Sequence, residues 1–132
     1  MNNETKQALR LRAIACKGFR YVPGMRYLFE LATGVWSWAR VIDGEYGGGL
    51  WDGCVVDLDD PATLGCIEHG LLPEMYGDDC NLASWVAADG STRWTLEYTP
   101  DPCSFPHQRL SVSDDGHERK AEALVFALEA AP

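Results

Sequence analysis

Four turn dipeptides, Pro23-Gly24, Thr33-Gly34, Asp43-Gly44 and Asp89-Gly90, cut this chain into short runs and so constrain most of what it can fold into. Between the first two, Met25, Tyr27, Phe29 and Leu31 alternate with Arg26, Leu28 and Glu30, the period of two expected of a strand. Residues 35–42 are rich in β-branched and aromatic side chains, and they run into Asp43-Gly44, a hairpin signal because both residues tolerate positive φ. Residues 82–87 and 92–99 flank Asp89-Gly90 in the same way. In the second of these runs Trp94, Leu96 and Tyr98 share one face, and Arg93, Thr95 and Glu97 the other. Residues 54–58 and 108–113 read as two further short strands. Pro100, Pro102 and Pro106 mark a loop, because proline cannot donate to a central ladder.

Helical patterns occupy the ends and the middle. Asn2 or Asn3 is suited to cap a first helix, with Glu4 in its first turn and Gly18 closing it. Its spacing puts Ala8, Leu11, Ile14 and Ala15 on an apolar face, with Lys6, Arg10 and Lys17 as a basic outer stripe. Asp60-Pro61 starts a second helix, the acid as cap and the proline at the first helical position, where its missing N–H costs nothing. Leu64, Ile67 and Leu71 form its inner face, and Pro73 is expected to end or kink it near Leu72. Asp114 or Asp115 is expected to cap a last helix whose Ala121, Leu124, Val125 and Leu128 make one apolar stripe. The fold class expected is therefore α+β, with an antiparallel or mixed sheet built from hairpins and about three helices packed mainly on one face. The 132 residues are expected to form a single domain, 1–132, with 1–17 as an N-terminal helical extension.

Charge is unevenly placed. Residues 1–42 hold seven basic and two acidic side chains, whereas residues 43–132 hold four basic and eighteen acidic ones, for a net charge of −9. A field this negative disfavours direct nucleic-acid binding; it is open to two readings, attraction of a basic partner or, more simply, the solubility of a small protein. The polar first residues do not resemble an export signal, and no apolar run is long enough for a membrane span. Five cysteines at wide, irregular spacing suit reduced thiols better than a disulfide framework, so the location expected is cytoplasmic, with no membrane partner.

Three stretches carry a resemblance. Residues 18–25 (Gly-Phe-Arg-Tyr-Val-Pro-Gly-Met), 57–66 (Asp-Leu-Asp-Asp-Pro-Ala-Thr-Leu-Gly-Cys) and 121–131, an Ala/Glu/Leu helix, are together similar to small uncharacterised proteins encoded by tailed bacteriophages and prophages. The chain departs from that pattern in its N-terminal helical extension and in Pro73. The resemblance brings no catalytic residue. It implies a phage product made in a bacterial host cytoplasm.

Reactive constellations are sparse. Cys66 and His69 lie three apart and could form a thiol–imidazole couple, yet no orienting third group or oxyanion donor accompanies them, and Cys66 reads equally as a small core residue. The loop from Gly47 to Trp51 is glycine-rich but lacks the lysine of a phosphate loop, and acids flank it. Cys80, Cys103 and His107 do not have the paired short spacing of a zinc site. Of the five tryptophans most are expected in the core, with Trp51 the one suspected of exposure. No motif points to a cofactor or metal. The reading leans away from an enzyme and towards a phage accessory protein that binds a host or phage protein, in its sharper form an acidic decoy for a nucleic-acid-binding surface. Trp51, Asp52, Asp78 and Asp79 are the interaction candidates. The rivals are a small enzyme or ligand-binding module using Cys66/His69 or the Gly47–Trp51 loop, and a virion assembly or structural protein that forms a homodimer through a sheet edge.

Overall fold

Asn2 opens the first helix, α1 (Asn3–Ala15), because its side chain accepts the otherwise orphaned amide of Thr5 at 2.8 Å. The computed structural model describes residues 2–42, 46–47, 53–100, 103 and 108–131. The expected hairpin turn at Asp43-Gly44 lies outside them. Contacts gather the chain into two units, Met1–Cys66 and Ile67–Pro132.

In the first unit, α1 is followed by β1 (Arg20–Tyr21), β2 (Arg26–Ala32), β3 (Val35–Arg40), β4 (Tyr46–Gly47), β5 (Val55–Val56) and helix α2 (Pro61–Cys66). Strands β3, β2 and β5 form a three-stranded antiparallel sheet in that order, and β1 pairs with β4. The Pro23-Gly24 turn closes through the Met25 amide, which donates to the Val22 carbonyl at 3.1 Å. Proline presets φ at the first central position, and Gly24 takes the positive φ of 101° that the second requires. A Cβ at Gly24 would also stand 3.2 Å from Cys66 Sγ. Phe19, Tyr21, Met25, Val41, Val55, Val56 and Leu58 are buried with Leu9 and Ala13 of α1.

The face of α1 differs from the expectation. Leu9 and Ala13 are buried, whereas Leu11 is about half exposed and Ala8 and Ala15 are exposed. Lys6 and Arg10 do not form a solvated outer stripe, because they turn towards acids near β5. The buried face of α1 is thus set by Leu9 and Ala13, with the charge pairs beside it reaching residues far along the chain that the helix's own periodicity does not encode.

The second unit opens with a π-helical turn, Ile67–Leu71, and α3 (Leu72–Tyr76), then β6 (Cys80–Val86), β7 (Thr92–Tyr98), β8 (Leu110–Ser111) and α4 (Lys120–Ala130). Pro73, expected to end or kink the helix near Leu72, does not end it: the helical path widens over Ile67–Leu71 and Pro73 sits in the first turn of α3, which runs on to Tyr76. The widened turn lies immediately before it, and the first turn of a helix is where a residue without an N–H is tolerated. Gly77, at φ 88°, terminates α3. Strands β6, β7 and β8 form the second antiparallel sheet. At the β6–β7 connection the Gly90 amide donates to the Ala87 carbonyl at 2.9 Å, and only Gly90 is left-handed. This is a type I turn followed by a left-handed glycine. Asp89 holds it by accepting from the Ser91 amide at 2.9 Å and the Ser91 hydroxyl.

Helix α4 buries Ala123, Leu124, Val125, Ala127 and Leu128. Its expected caps, Asp114 and Asp115, are not its caps. The helix begins later, with Arg119 at the cap position and no side-chain cap bond, while the two acids lie in an exposed turn. The fold class is α+β, all its described strands pair antiparallel, and no helix among the described residues is long and apolar enough to cross a membrane.

Candidate functional site

The acidic run after β5 gathers most of the basic side chains of the first unit. Asp57 is buried, and its carboxylate accepts from Arg26 Nε at 2.6 Å and from the Asp59 amide at 3.1 Å. Arg10 lies 4.0 Å from Asp57 and 3.3 Å from Asp59, and Lys6 reaches Asp59 at 3.4 Å. Asp60 is also buried. It caps α2 through the Thr63 amide and accepts from Arg40 through the two terminal guanidinium nitrogens, at 2.9 and 3.4 Å. Arg40 also donates to the Gly24 carbonyl at 2.7 Å, tying the turn to the helix start. The Arg40 hydrogen bond holds the Asp60 carboxyl below its ordinary range, with the Thr63 donors adding to it against the opposing effect of burial. Four cations from residues 6–40 are thus committed to three aspartates. These four of the seven basic residues in 1–42 serve as counter-charge to the acidic run, while Arg12 and Lys17 are exposed.

The second unit has a different balance. Residues 67–132 carry twelve acidic and four basic side chains, a net of −8, against −1 for residues 1–66. At the tip of its β6–β7 hairpin an open groove of about 600 Å³ is lined by Trp85, Val86, Ala87, Ala88, Arg93, Asp114 and Asp115. Trp85 is 37% exposed and Val86 72%. The indole packs on Gly116, where an added Cβ would stand 2.6 Å from the ring. The turn carrying the two aspartates is anchored on β7. The Ser113 amide donates to Thr95 Oγ1, the Gly116 amide to Ser113 Oγ, and Trp94 and His117 exchange backbone hydrogen bonds at 2.7 and 2.8 Å. Arg93 is engaged by Asp89 at 3.6 Å and Glu118 at 3.7 Å. Asp114 and Asp115 are exposed and form no ion pair with a described residue.

Of the interaction candidates read from the sequence, Trp51 and Asp52 lie outside the described residues, as does most of the Gly47–Trp51 loop. Asp78 is exposed in the bend just before β6. Asp79 is exposed too, but it is paired with Arg109 at 3.0 Å, and Arg109 also bonds Thr99 Oγ1 and Asn81 Oδ1. That cluster fastens the β6 and β7 ends to the segment before β8. The expectation that most tryptophans are core does not hold among the described residues: Trp85 is exposed, Trp94 is half-buried, and Trp36 and Trp38 of β3 are about half exposed, with the Arg26 guanidinium 5.0 Å from the Trp38 ring centroid. Val35 and Leu31 at the same hairpin end are exposed as well.

Cys66 and His69 fall in different units and have separate surroundings. Cys66 Sγ donates to the Pro23 carbonyl at 3.7 Å, and burial pushes its thiol up, away from the thiolate. His69 is exposed and lies 3.5 Å from its neighbour Glu68. Burial likewise raises the thiols of Cys54 and Cys80. No disulfide joins the cysteines, and no group of three metal-ligating side chains occurs among the described residues. Comparison of the chain with protein-family models, curated proteins and solved structures found no match.

Proposed function

We propose that this chain is a non-enzymatic accessory protein of a phage or prophage, acting in the bacterial cytoplasm by binding a host or phage protein that presents a basic surface. One observation carries the reading, the separation of charge. Lys6, Arg10, Arg26 and Arg40 of the first unit are held by Asp57, Asp59 and Asp60, and residues 1–66 sum to −1 against −8 for residues 67–132. A surface of one sign steers association with a partner of the other and disfavours nucleic acid itself. The partner's surface is of the kind that nucleic-acid-binding proteins carry.

Affinity capture from bacterial lysate at about 50 and 500 mM salt tests this, since raising the salt shortens the screening length from roughly 14 Å to 4 Å. The expected result is a basic protein retained at low salt and released at high salt. Recovery of no basic protein at low salt overturns the proposal.

A further inference from the structure

The groove at the β6–β7 tip differs from the rest of the acidic surface in two ways. It presents an indole and an apolar strand end beside its carboxylates, and its acidic turn is fixed in place before any ligand arrives. Arginine is the side chain that matches this combination. Its planar guanidinium stacks on an aromatic face, its forked N–H groups suit carboxylates, and it is more weakly hydrated than an ammonium. The groove's own arginine, Arg93, is already taken by Asp89 and Glu118, so Asp114 and Asp115 are left for a cation supplied from outside. The turn is held by the Thr95, Ser113 and Trp94–His117 bonds, which lowers the ordering cost of binding.

We infer that the groove lined by Trp85, Val86, Asp114 and Asp115 is the docking site for an arginine-bearing segment of the protein partner, the guanidinium lying between the Trp85 ring and the two carboxylates. This rests on the acidic-binding reading and assigns it a place.

The test uses the full chain and a fluorescein-labelled eight-residue peptide alternating arginine and glycine, read by anisotropy at about 50 mM salt. Asp114→Asn with Asp115→Asn removes both carboxylates while keeping their shape. Glu4→Gln with Asp78→Asn makes the same charge change at exposed positions outside the groove lining. Exposed ion pairs contribute up to about fivefold each, so the groove pair is expected to weaken binding roughly five- to twentyfold and the remote pair less than about threefold. Trp85→Phe, which keeps an aromatic ring over Gly116, is expected to cost about two- to threefold. Equal losses from the groove and remote pairs would overturn the site and leave the acidic-binding reading standing, because the peptide would then sense only the general field. No binding of the peptide to the unmodified chain would overturn both.

Discussion

Replacing Thr63 with valine isolates one hydroxyl that joins β2 to the capped start of α2. Thr63 has no solvent exposure. Its Oγ1 accepts the Arg26 amide of β2 at 2.8 Å and donates to Asp60 Oδ2 at 2.9 Å, while its own amide donates to the same carboxylate oxygen at 3.1 Å. Valine keeps the branched shape and removes both hydroxyl bonds. Each such bond contributes about 1 kcal/mol net, and a buried amide left without an acceptor costs about 1–3 kcal/mol. The Arg26 amide is only partly buried, so the total expected is about 2–3 kcal/mol. Thr63→Ser keeps the hydroxyl and loses one methyl, at about 1 kcal/mol. In urea, with a slope of about 1–3 kcal/mol/M, the valine variant should lose roughly 1–2 M from its unfolding midpoint and the serine variant about half of that. The order expected is threonine, serine, valine. A valine variant as stable as the unmodified chain would refute the reasoning, because it would mean that shape alone, and not the hydroxyl bridge, holds β2 to the start of α2.

Three other perturbations follow from single contacts. The folded Asp60 carboxyl titrates below its unfolded value of 3.8, so it adds stability above that pH and loses it as pH falls through the folded value. The stability gap between the unmodified chain and Asp60→Asn, measured by thermal melts, should therefore be wide at pH 7 and narrow below about pH 4; an unchanged gap down to pH 2.5 would count against the pairing with Arg40. Tyr76 donates to the Ala127 carbonyl at 2.7 Å, one of the acceptors left over at the end of α4, and burial pushes its hydroxyl up to about 12. Tyr76→Phe should cost about 1–2 kcal/mol in urea unfolding, and no loss would show that water satisfies that carbonyl equally well. Gly116→Ala must adopt a positive φ of 69° and displace the Trp85 ring, so about 1–2 kcal/mol and a shift in tryptophan emission are expected; an unshifted spectrum would mean that the indole does not rest on Gly116.

What was legible in the sequence was local. Asp60-Pro61 announces a helix start because cap and proline act within one turn, and the structure places the cap bond there. Pro23-Gly24 and Asp89-Gly90 are legible for the same reason, since φ preferences belong to the residues themselves. The inner face of α1 was not legible. Leu9 and Ala13 face inward, and Arg10 lies against acids 47 and 49 positions later, neighbours that no window of the helix contains. Asp114-Asp115 misled because an acid before a helix resembles a cap, yet here four residues still separate Asp115 from the first helical residue. The groove was invisible for a related reason. Its indole comes from β6 and its carboxylates from a turn about thirty residues on, brought together only by the pairing of β7 with both.

The two kinds of charge in this chain respond differently to salt, and that difference makes the capture experiment interpretable. Asp57 and Asp60 are buried, and their partners approach to 2.6 and 2.9 Å, much closer than the screening length even at about 500 mM. Added ions therefore weaken these pairs little, and the first unit keeps its fold. The acids of residues 67–132 are mostly exposed, and Asp114 and Asp115 are exposed and form no ion pair with a described residue. Salt relieves their mutual repulsion, which favours the folded state, and at the same time screens their attraction for an external cation. A partner that leaves as salt rises is consequently released from a chain that is no less folded than before. Loss of binding then reports on the interface itself, and the acidic surface of the second unit is where that interface is to be sought.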